Sequence, residues 1–272
     1  MRRLIIRPGG IGDTILSFPA LEHLRADYTE IWVRSEIVPL IGFADRVRAI
    51  SSTGIEMFGV DGLSPEPSLV ASLGSFGETV TWYGTNRPAF REALLATVSR
   101  VRFLDALPPE GGGKHAADHF LEQVGGSGPA APRIVVPPAL RGRRIVVHPF
   151  SGSPRKNWPI ESFHELAAGL TGLGYEVEWA AGSDWVRFDN LLELANWIAG
   201  ARLYVGNDSG ITHLAAAVKT PVVALFGPTD PAVWAPRGGQ VRVLTGGPVD
   251  RPVWPRVDEV MEVVREVLAD GP

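Results

Sequence analysis

Short apolar runs alternate with amphipathic stretches along almost the whole chain. Apolar runs of this length, bounded by glycine, proline or polar residues, predict buried strands, and apolar positions three and four apart predict helices. The alternation of the two is typical of parallel βαβ units. The predicted strands are residues 4–6, 31–33, 47–50, 80–83, 144–147, 175–180, 203–205 and 221–226, and the predicted helices are residues 14–25, 88–98, 117–124, 160–170, 190–199, a helix after 210, and 258–268.

Pro19 and one stretch rich in glycine and proline interrupt this pattern. Pro19 falls inside the first predicted helix, where it removes a backbone N–H, and so predicts a kink. Residues 69–73 fit either a strand or a helix. The stretch from Gly125 to Arg144 is rich in glycine and proline, with only Ile134–Val136 of strand character, and predicts an interdomain linker. We therefore expect two α/β domains, residues 1–130 and 143–272.

Charge and composition exclude several classes of function. The 272 residues carry a net charge of −4, and residues 1–130 hold 12 basic against 15 acidic residues. A nucleic-acid partner is not expected, since phosphate contacts need a basic face. There is no cysteine, which excludes disulfides and thiolate chemistry. No apolar run is long enough for a signal peptide or a membrane span, so we expect a cytoplasmic protein that could still touch the inner membrane peripherally.

The segment from Leu203 to Ala217 has the strongest functional pattern. A buried strand ends at Gly206-Asn207-Asp208-Ser209-Gly210, and a helix of small apolar residues follows. Unpaired N–H groups and the helix dipole make such a helix start an anion site that suits a diphosphate. Four side chains with binding chemistry crowd this turn: Asp208, Ser209, Thr212 and His213. An N-cap role for Asp208 or Ser209 is the alternative interpretation.

Two further loops follow predicted strands. Gly9-Gly10-Ile11-Gly12 lets a backbone or ligand approach closely, and Asp13 follows it as either an N-cap or a functional carboxylate. In the second half, the loop of residues 148–159 carries Ser151, Ser153, Arg155 and Lys156, which could contact phosphate. The alternative is a polar surface loop, with Trp158 packed at the entry of the next helix.

Other chemistries lack their sequence signals. There is no Gly-x-x-x-x-Gly-Lys-Ser/Thr loop of the P-loop nucleotidases, and no Asp-x-Asp pair for a metal-bound diphosphate. His115 and His119 have a spacing that metal ligands use on helices, but only Asp118 accompanies them. We therefore expect neither a metal nor a cofactor.

Taken together, the segments resemble glycosyltransferase family 9, the ADP-heptose:lipopolysaccharide heptosyltransferases and their relatives. The matching pieces occur in the order of the family. They are Ile5 to Asp13 with Pro19-Ala20-Leu21, His148 to Pro159, Val205 to Gly210 with His213-Leu214, and Leu225 to Pro231.

The resemblance implies a GT-B architecture, in which two Rossmann-like domains face a central cleft. It also implies an inverting enzyme that moves a sugar, heptose first, from ADP-heptose or a similar donor to a saccharide, glycolipid or lipopolysaccharide-core acceptor. Residues 1–130 would bind the acceptor and residues 143–272 the donor. Carried over residue by residue, Asp13 is the general base beside the cleft loop of Gly9, Gly10 and Gly12. Ser151, Lys156, Asp208, Ser209, Gly210, Thr212 and His213 form the donor site.

The chain departs from the family pattern in places. Phe150 stands where the family has glycine after His-Pro, and Asp184 is the candidate for the ribose contact. Related folds also suggest that the C-terminal helix, from Asp258, crosses back to the first domain. Two other functions stay open: a nucleotide-sugar epimerase or hydrolase, and a non-catalytic nucleotide-sugar-binding protein on the same architecture.

Overall fold

The computed structural model describes residues 1–60, 62–109, 111, 113–180, 188–248, 251 and 253–270. In these residues two separate sheets form, each of five parallel strands. The predicted interruption between two α/β series is therefore present, while the exact domain limits of 1–130 and 143–272 stay a prediction. None of the helices in the described residues is long and apolar enough to cross a membrane.

The first sheet has the strand order β3-β2-β1-β4-β5. Its strands are β1 (Arg2–Ile6), β2 (Tyr28–Val33), β3 (Arg46–Ala49), β4 (Glu78–Thr81) and β5 (Val101–Phe103). The helices of this half are α1 (Ile11–Leu16), α2 (Phe18–His23), α3 (Pro67–Gly74), α4 (Pro88–Thr97) and α5 (Ala116–Gln123), with 3₁₀ turns at Ser35–Leu40, Ile50–Ser52 and Ile55–Met57.

The second sheet has the strand order β10-β9-β8-β6-β7. Its strands are β6 (Arg144–His148), β7 (Glu176–Trp179), β8 (Leu203–Asn207), β9 (Val222–Phe226) and β10 (Val241–Thr245). The helices are α6 (Ile160–Gly172), α7 (Leu191–Ala199), α8 (Gly210–Ala217), α9 (Pro231–Trp234) and α10 (Val257–Asp270), with a 3₁₀ turn at Pro154–Lys156. Strands β8 and β9 are buried throughout, and β2 and β6 are buried from their second residue onward, as is typical of parallel sheets covered by helices on both faces.

The first predicted helix is two helices. It starts three residues earlier than expected, at Ile11, and breaks at Ser17, whose backbone N–H bonds to Asp13 and Thr14. Pro19 lies at the start of α2, where its missing N–H costs little. The predicted kink is thus a full break between two helices. Gly10 is the N-cap of α1, and Asp13 lies in the first turn of that helix.

Two other expectations need correction, and one open alternative is decided. Residues 134–136 form no strand; instead the Ile134 N–H donates to the Ala217 carbonyl, which ends α8. Residues 69–73 are helical, within α3. Helix α10 does not cross back to the first half: Val260, Val264, Val267 and Leu268 pack with residues of β6, α6 and β8. Its apolar face is thus satisfied within the second half.

The two halves are in direct contact through helix starts. The first turns of α1 and α8 approach so closely that a Cβ on Gly210 would lie 2.7 Å from the Ile11 Cβ. A Cβ on Gly12 would likewise lie 2.8 Å from the His213 ring. The two helix starts can lie this close together only because Gly12 and Gly210 have no side chains. Ile15 and Leu16 of the first half share one apolar core with Leu214 and Ala216 of the second.

Candidate functional site

A cavity of about 680 Å³ opens between the two halves at the carboxyl ends of β1, β2, β6 and β8. In open parallel sheets, ligands bind at this edge, where the strand order reverses. The order reverses between β1 and β4 in the first sheet and between β6 and β8 in the second. The loops after β1, β6 and β8 are the ones singled out in the sequence.

The cavity brings most of the predicted site residues together. Those that line it are Gly10, Gly12 and Asp13 from the first half, and Ser151, Lys156, Asp208, Ser209, Gly210 and His213 from the second. Gly9 lies behind the loop, against Arg7, and Thr212 is buried below the turn. Asp184 lies outside the described residues.

Asp13 is a half-buried carboxylate on the first turn of α1. Gly10 is the N-cap of α1 and Asp13 lies three residues after it, so the N-cap interpretation of Asp13 is wrong. Behind it lies Arg7, whose guanidinium donates to the Asp13 backbone carbonyl at 3.3 Å and stacks 4.6 Å from the Phe120 ring centre. Burial lowers the pKa of Arg7 to about 10, and the nearby Asp13 opposes that change, so Arg7 stays a cation at neutral pH.

Lys156 is held in place by the turn that follows β8. Its Nζ donates to Asp208 Oδ2 at 2.8 Å, and the same oxygen accepts from Thr229 Oγ1 at 2.7 Å. Asp208 is almost fully buried, whereas about a third of the Lys156 side chain is exposed. The carboxylate therefore fixes the ammonium group of Lys156 at the cavity wall. Asp208 would act on a bound anion only indirectly, by orienting Lys156.

The turn before α8 is built as a helix cap. Ser209 is the N-cap, and its Oγ accepts from the Thr212 N–H at 3.3 Å. Thr212 Oγ1 lies 3.1 Å from Ser209 Oγ and 3.2 Å from the Tyr204 hydroxyl. Ser209 therefore serves as a cap and also faces the cavity, while the Thr212 hydroxyl is used within the turn.

The loop after β6 is tied to this turn by Asn207. The Asn207 amide donates to the Pro149 carbonyl at 2.7 Å and accepts from the Trp158 N–H at 2.9 Å. Ser151 Oγ is engaged within its loop, at 2.7 Å from the Ser153 carbonyl and 2.8 Å from Asn157 Oδ1. The sequence interpretation missed the bracing role of Asn207 because it depends on a contact 49 residues away.

Two buried histidines line the cavity. Burial lowers the pKa of both His148 and His213 to about 4, so both rings are neutral at pH 7. The Nδ1 atom of each ring is buried without a hydrogen-bond partner. His213 also lies with Nε2 3.9 Å from Asp208 Oδ1.

Several cavity residues were not singled out from sequence as site residues. They are Ile11, Arg34, Glu36, Leu107, His148, Phe150, Gly152, Ile211 and Trp234, while Ser153, a candidate phosphate contact from the sequence, also lines the cavity. Arg34 and Glu36 follow β2, and only the pairing of β2 with β1 brings them beside the glycine loop. In the sequence, the one signal that could have indicated a role for these two charged residues was their position just after a predicted strand.

The histidines of α5 have structural roles. His115 Nδ1 accepts from the Ala117 N–H, and its Nε2 donates to the Ala235 carbonyl at 2.8 Å. His119 Nε2 lies 2.7 Å from the Gln123 amide. Within the described part of the chain, no group of three His, Asp or Glu side chains could hold a metal ion.

Comparison with known proteins agrees with this geometry. Residues 189–251 match the model of glycosyltransferase family 9 (heptosyltransferase). This segment of the chain is similar to glycosyltransferase family 9. It is 36% identical over 95 residues to lipopolysaccharide heptosyltransferase 1 of Salmonella typhimurium, a match that covers 29% of this chain and 30% of the relative. Lipopolysaccharide heptosyltransferase 1 of Pseudomonas aeruginosa is 33% identical over 145 residues, with 47% and 37% covered. The matched segments thus span about a third of these relatives.

Solved family 9 structures share the whole fold. Escherichia coli heptosyltransferase WaaC with ADP superposes with a TM-score of 0.67 at 19% identity, covering 98% of this chain and 100% of that one. E. coli ADP-heptose lipopolysaccharide heptosyltransferase II gives 0.70 at 19% identity, with 99% of both chains covered. The expected GT-B architecture is confirmed.

Proposed function

We propose that this protein is an inverting glycosyltransferase that moves a heptose from ADP-heptose to a saccharide or lipopolysaccharide-core acceptor. The observation that carries the proposal is the cavity between the halves, with Asp13 on one side and the Lys156–Asp208 pair on the other. The relatives named above are heptosyltransferases, and one of them was solved with ADP.

The second half has the chemistry of a diphosphate site. Lys156 supplies positive charge, and the start of α8 at Ser209 and Gly210 supplies backbone N–H donors and the helix dipole. A departing diphosphate needs this stabilisation. Negative charge grows on the phosphate oxygen that was bonded to the sugar as that bond breaks. Neutral His148 and His213 can still donate a hydrogen bond, without adding charge.

The first half supplies the base. In the proposed step, Asp13 takes the proton from an acceptor hydroxyl, whose oxygen attacks the anomeric carbon of the heptose. The bond from that carbon to the diphosphate oxygen breaks, ADP leaves, and the configuration is inverted. Asp13 lines the cavity and is half-buried, so its carboxylate can reach an acceptor bound there.

We further propose that the reaction takes place in the cytoplasm, with the protein touching the inner membrane only where a glycolipid acceptor requires it. The net charge of −4 offers no broad basic face for anionic lipid.

Asp13→Asn tests the proposal. We expect transfer, followed as ADP release with ADP-heptose and acceptor, to fall by about 10²–10⁴-fold, which is what a general base contributes. ADP affinity should stay near wild type, and the melting temperature should fall only modestly, because the variant loses the attraction between the Asp13 carboxylate and the buried Arg7 cation. Glu56→Gln, an exposed carboxylate of the same half, is the matched control. Wild-type transfer by Asp13→Asn would remove Asp13 from the mechanism.

An ADP-heptose turnover assay, run with and without an acceptor, distinguishes the glycosyltransferase from the two alternative functions. A hydrolase or epimerase would consume ADP-heptose without any acceptor, and a binding protein would retain ADP affinity with no turnover in either arm. Transfer that needs the acceptor supports the glycosyltransferase alone.

A further inference from the structure

A buried cation behind Asp13 has no part in the step described above. Arg7 follows β1 directly, and only 2% of this residue is exposed. The central carbon of its guanidinium lies 4.6 Å from the Phe120 ring centre and 5.7 Å from that of Trp82. Taking a charge out of water is costly. A cation in such surroundings is stable only if a nearby group offsets this cost.

The group that offsets this cost is Asp13. Arg7 Nη2 donates to the Asp13 carbonyl at 3.3 Å, while Arg7 Nε is buried without a hydrogen-bond partner. Burial lowers the pKa of Arg7, and among the described residues Asp13 is the carboxylate whose charge opposes that change. The attraction between two opposite charges is mutual, so Arg7 also favours the charged form of Asp13.

Arg7 lies beneath the glycine loop and does not itself reach a ligand. A Cβ on Gly9 would lie 3.3 Å from Arg7 Nη1 and 3.2 Å from the Asp13 Cβ, so the loop packs on both residues. The Arg7 N–H donates to the Trp32 carbonyl, which fixes the start of the loop on the sheet. Arg7 is not among the described residues that line the cavity. Any effect of Arg7 on a ligand therefore passes through the turn that carries Asp13.

The charges that line the cavity around Asp13 already have partners. In the turn after β2, Arg34 Nη2 lies 2.7 Å from Glu36 Oε1, and across the cavity Lys156 binds Asp208 at 2.8 Å. These four charges cancel in pairs. Within the described residues, the cavity lining therefore leaves the carboxylate of Asp13 without a cation of its own.

The histidines near the base add no positive charge at pH 7. His148 and His213 line the cavity from the second half, and both are neutral because burial lowers the pKa of each to about 4. Helix α5 packs beside α1 in the shared core. Its titratable groups are engaged with other partners: His115 with the Ala235 carbonyl, His119 with the Gln123 amide and Asp118 with Arg237.

A bound donor adds negative charge to this cavity. With a diphosphate beside Lys156 and the start of α8, an ionised base faces net negative charge, and like charges drive a carboxylate toward its protonated form. A protonated Asp13 cannot accept the proton of an acceptor hydroxyl. Arg7 is placed to oppose this effect, because it is fixed directly behind the base and a buried charge is screened little by salt.

We propose that Arg7 is a positioning residue for the base: it holds the turn that carries Asp13 and keeps the carboxylate ionised while the donor diphosphate occupies the cavity. The inference rests on the proposed function and adds to it a residue that does not touch the substrate. Arg7 should therefore matter most on the acid side of the pH range, where protonation of the base competes with catalysis.

The rate test uses Arg7→Met, which keeps a long side chain between the two rings and removes the charge. We expect the acid limb of kcat against pH, followed as acceptor-dependent ADP release, to lie about one pH unit higher than in wild type, which is about a tenfold loss at a fixed pH on that limb. The loss should shrink toward alkaline pH, where the carboxylate ionises without help. ADP affinity should be unchanged.

A second readout does not depend on turnover. In protein labelled with ¹³C at the aspartate carboxyl groups, the Asp13 signal is assigned by its absence from Asp13→Asn. With ADP bound, this signal should keep the chemical shift of the ionised form to lower pH in wild type than in Arg7→Met. Arg7→Lys should restore part of the difference, because it returns the charge without the planar fork. Arg7→Gln, polar and neutral, should behave like Arg7→Met.

Arg2→Met is the matched control. Arg2 begins the same strand, and its guanidinium lies 4.1 Å from the Tyr28 ring centre and 5.4 Å from that of Phe76, at the end of β1 away from the cavity. This variant should keep the wild-type rate, pH profile and carboxyl titration. Asp13→Asn/Arg7→Met should lose no more transfer than Asp13→Asn alone, because Arg7 acts through the carboxylate.

Each of three results would overturn the inference: a loss in Arg7→Met that is the same factor at every pH, a carboxyl signal that titrates alike in Arg7→Met and wild type, or a double variant in which the two single losses multiply. Failure of the proposed function has a different signature. It appears as a wild-type chain that releases no ADP from ADP-heptose with any acceptor, and the carboxyl titration still decides the role of Arg7.

Discussion

At the scale of single residues, the pairing of Lys156 with Asp208 is central to the proposed donor site. Lys156→Ala removes the cation and leaves the buried Asp208 charge facing the cavity, with only Thr229 as a partner. A hydrogen bond between charged groups contributes about 1.5–3 kcal/mol. We therefore expect ADP affinity, measured by calorimetry, to fall by about 10–150-fold.

Matched variants separate this effect from a change in the loop. Arg155→Ala, an exposed neighbour outside the cavity, should keep wild-type affinity. Lys156→Ala/Asp208→Asn should recover part of the loss, because the unpaired carboxylate that repels the diphosphate is removed. Unchanged ADP affinity in Lys156→Ala would make the loop purely structural.

The two neutral histidines predict a pH dependence of stability. Burial lowers the pKa of His148 and His213 to about 4, while an unfolded histidine titrates near 6.5. Between these values the unfolded chain binds more protons, so stability is full above about pH 6.5 and falls as pH decreases toward 4. Each ring could account for as much as ~3 kcal/mol, since one pKa unit corresponds to about 1.4 kcal/mol.

Urea unfolding at pH 7.5, 5.5 and 4.5 measures this slope. His148→Gln and His213→Gln should each make it shallower. His164→Gln, which replaces an exposed histidine for comparison, should leave the slope unchanged. If both variants kept the wild-type slope of unfolding free energy against pH, the pKa values of these two rings would not be lowered by folding.

At the scale of elements, the contact of α1 with α8 depends on missing side chains. A Cβ on Gly210 would lie 2.7 Å from the Ile11 Cβ and 3.1 Å from the Gly12 backbone N. Backbone atoms cannot move aside cheaply, so Gly210→Ala should cost about 1–3 kcal/mol of unfolding free energy. Chemical denaturation measures it.

Gly172 is the matched control for this substitution. It ends α6, is exposed, and a Cβ there would meet nothing within 4 Å. Gly172→Ala should raise stability by up to about 1 kcal/mol, because alanine loses less conformational freedom on folding. A Gly210→Ala variant as stable as wild type would mean that α1 and α8 can separate without cost.

At the scale of the whole molecule, one ion pair joins the two halves beside their shared core. Arg237 Nη2 donates to Asp118 Oδ2 at 2.8 Å, Nη1 donates to Oδ1 at 2.5 Å, and the Ala130 N–H donates to the same Oδ1 at 2.7 Å. Burial favours a higher pKa for Asp118, but these hydrogen bonds outweigh it and hold the pKa below its usual value.

Arg237→Gln should therefore lower the unfolding free energy by about 1–2 kcal/mol at pH 7. Because the pKa of Asp118 is lowered by folding, this contribution is present above about pH 3.9 and is lost as pH falls through the folded-state value. Arg265→Gln, an exposed arginine of α10, is the control. A difference between variant and wild type that persists unchanged at pH 2.5 would argue against the ion pair as its source.

The local pattern of apolar and polar residues was enough to predict much of this protein's secondary structure and its candidate ligand loops. The apolar runs predicted most strands and helices, because burial on both faces imposes them residue by residue. The glycine loop at Gly9–Gly12 and the turn at Asp208–Ser209 were predicted as candidate ligand loops, since strand-to-helix turns have local chemical signatures. The edge strands β5 and β10 were missed, because β5 has three residues and no residue of either strand is fully buried.

Only the tertiary structure decided how these pieces meet. Strand order sets Arg34 and Glu36 beside Asp13, and packing across the two halves makes Gly12 and Gly210 necessary. Contacts distant in sequence decided that Asp208 is a partner for Lys156 and that Thr212 faces inward. These roles depend on distances between segments, and a chain's local composition contains no record of those distances.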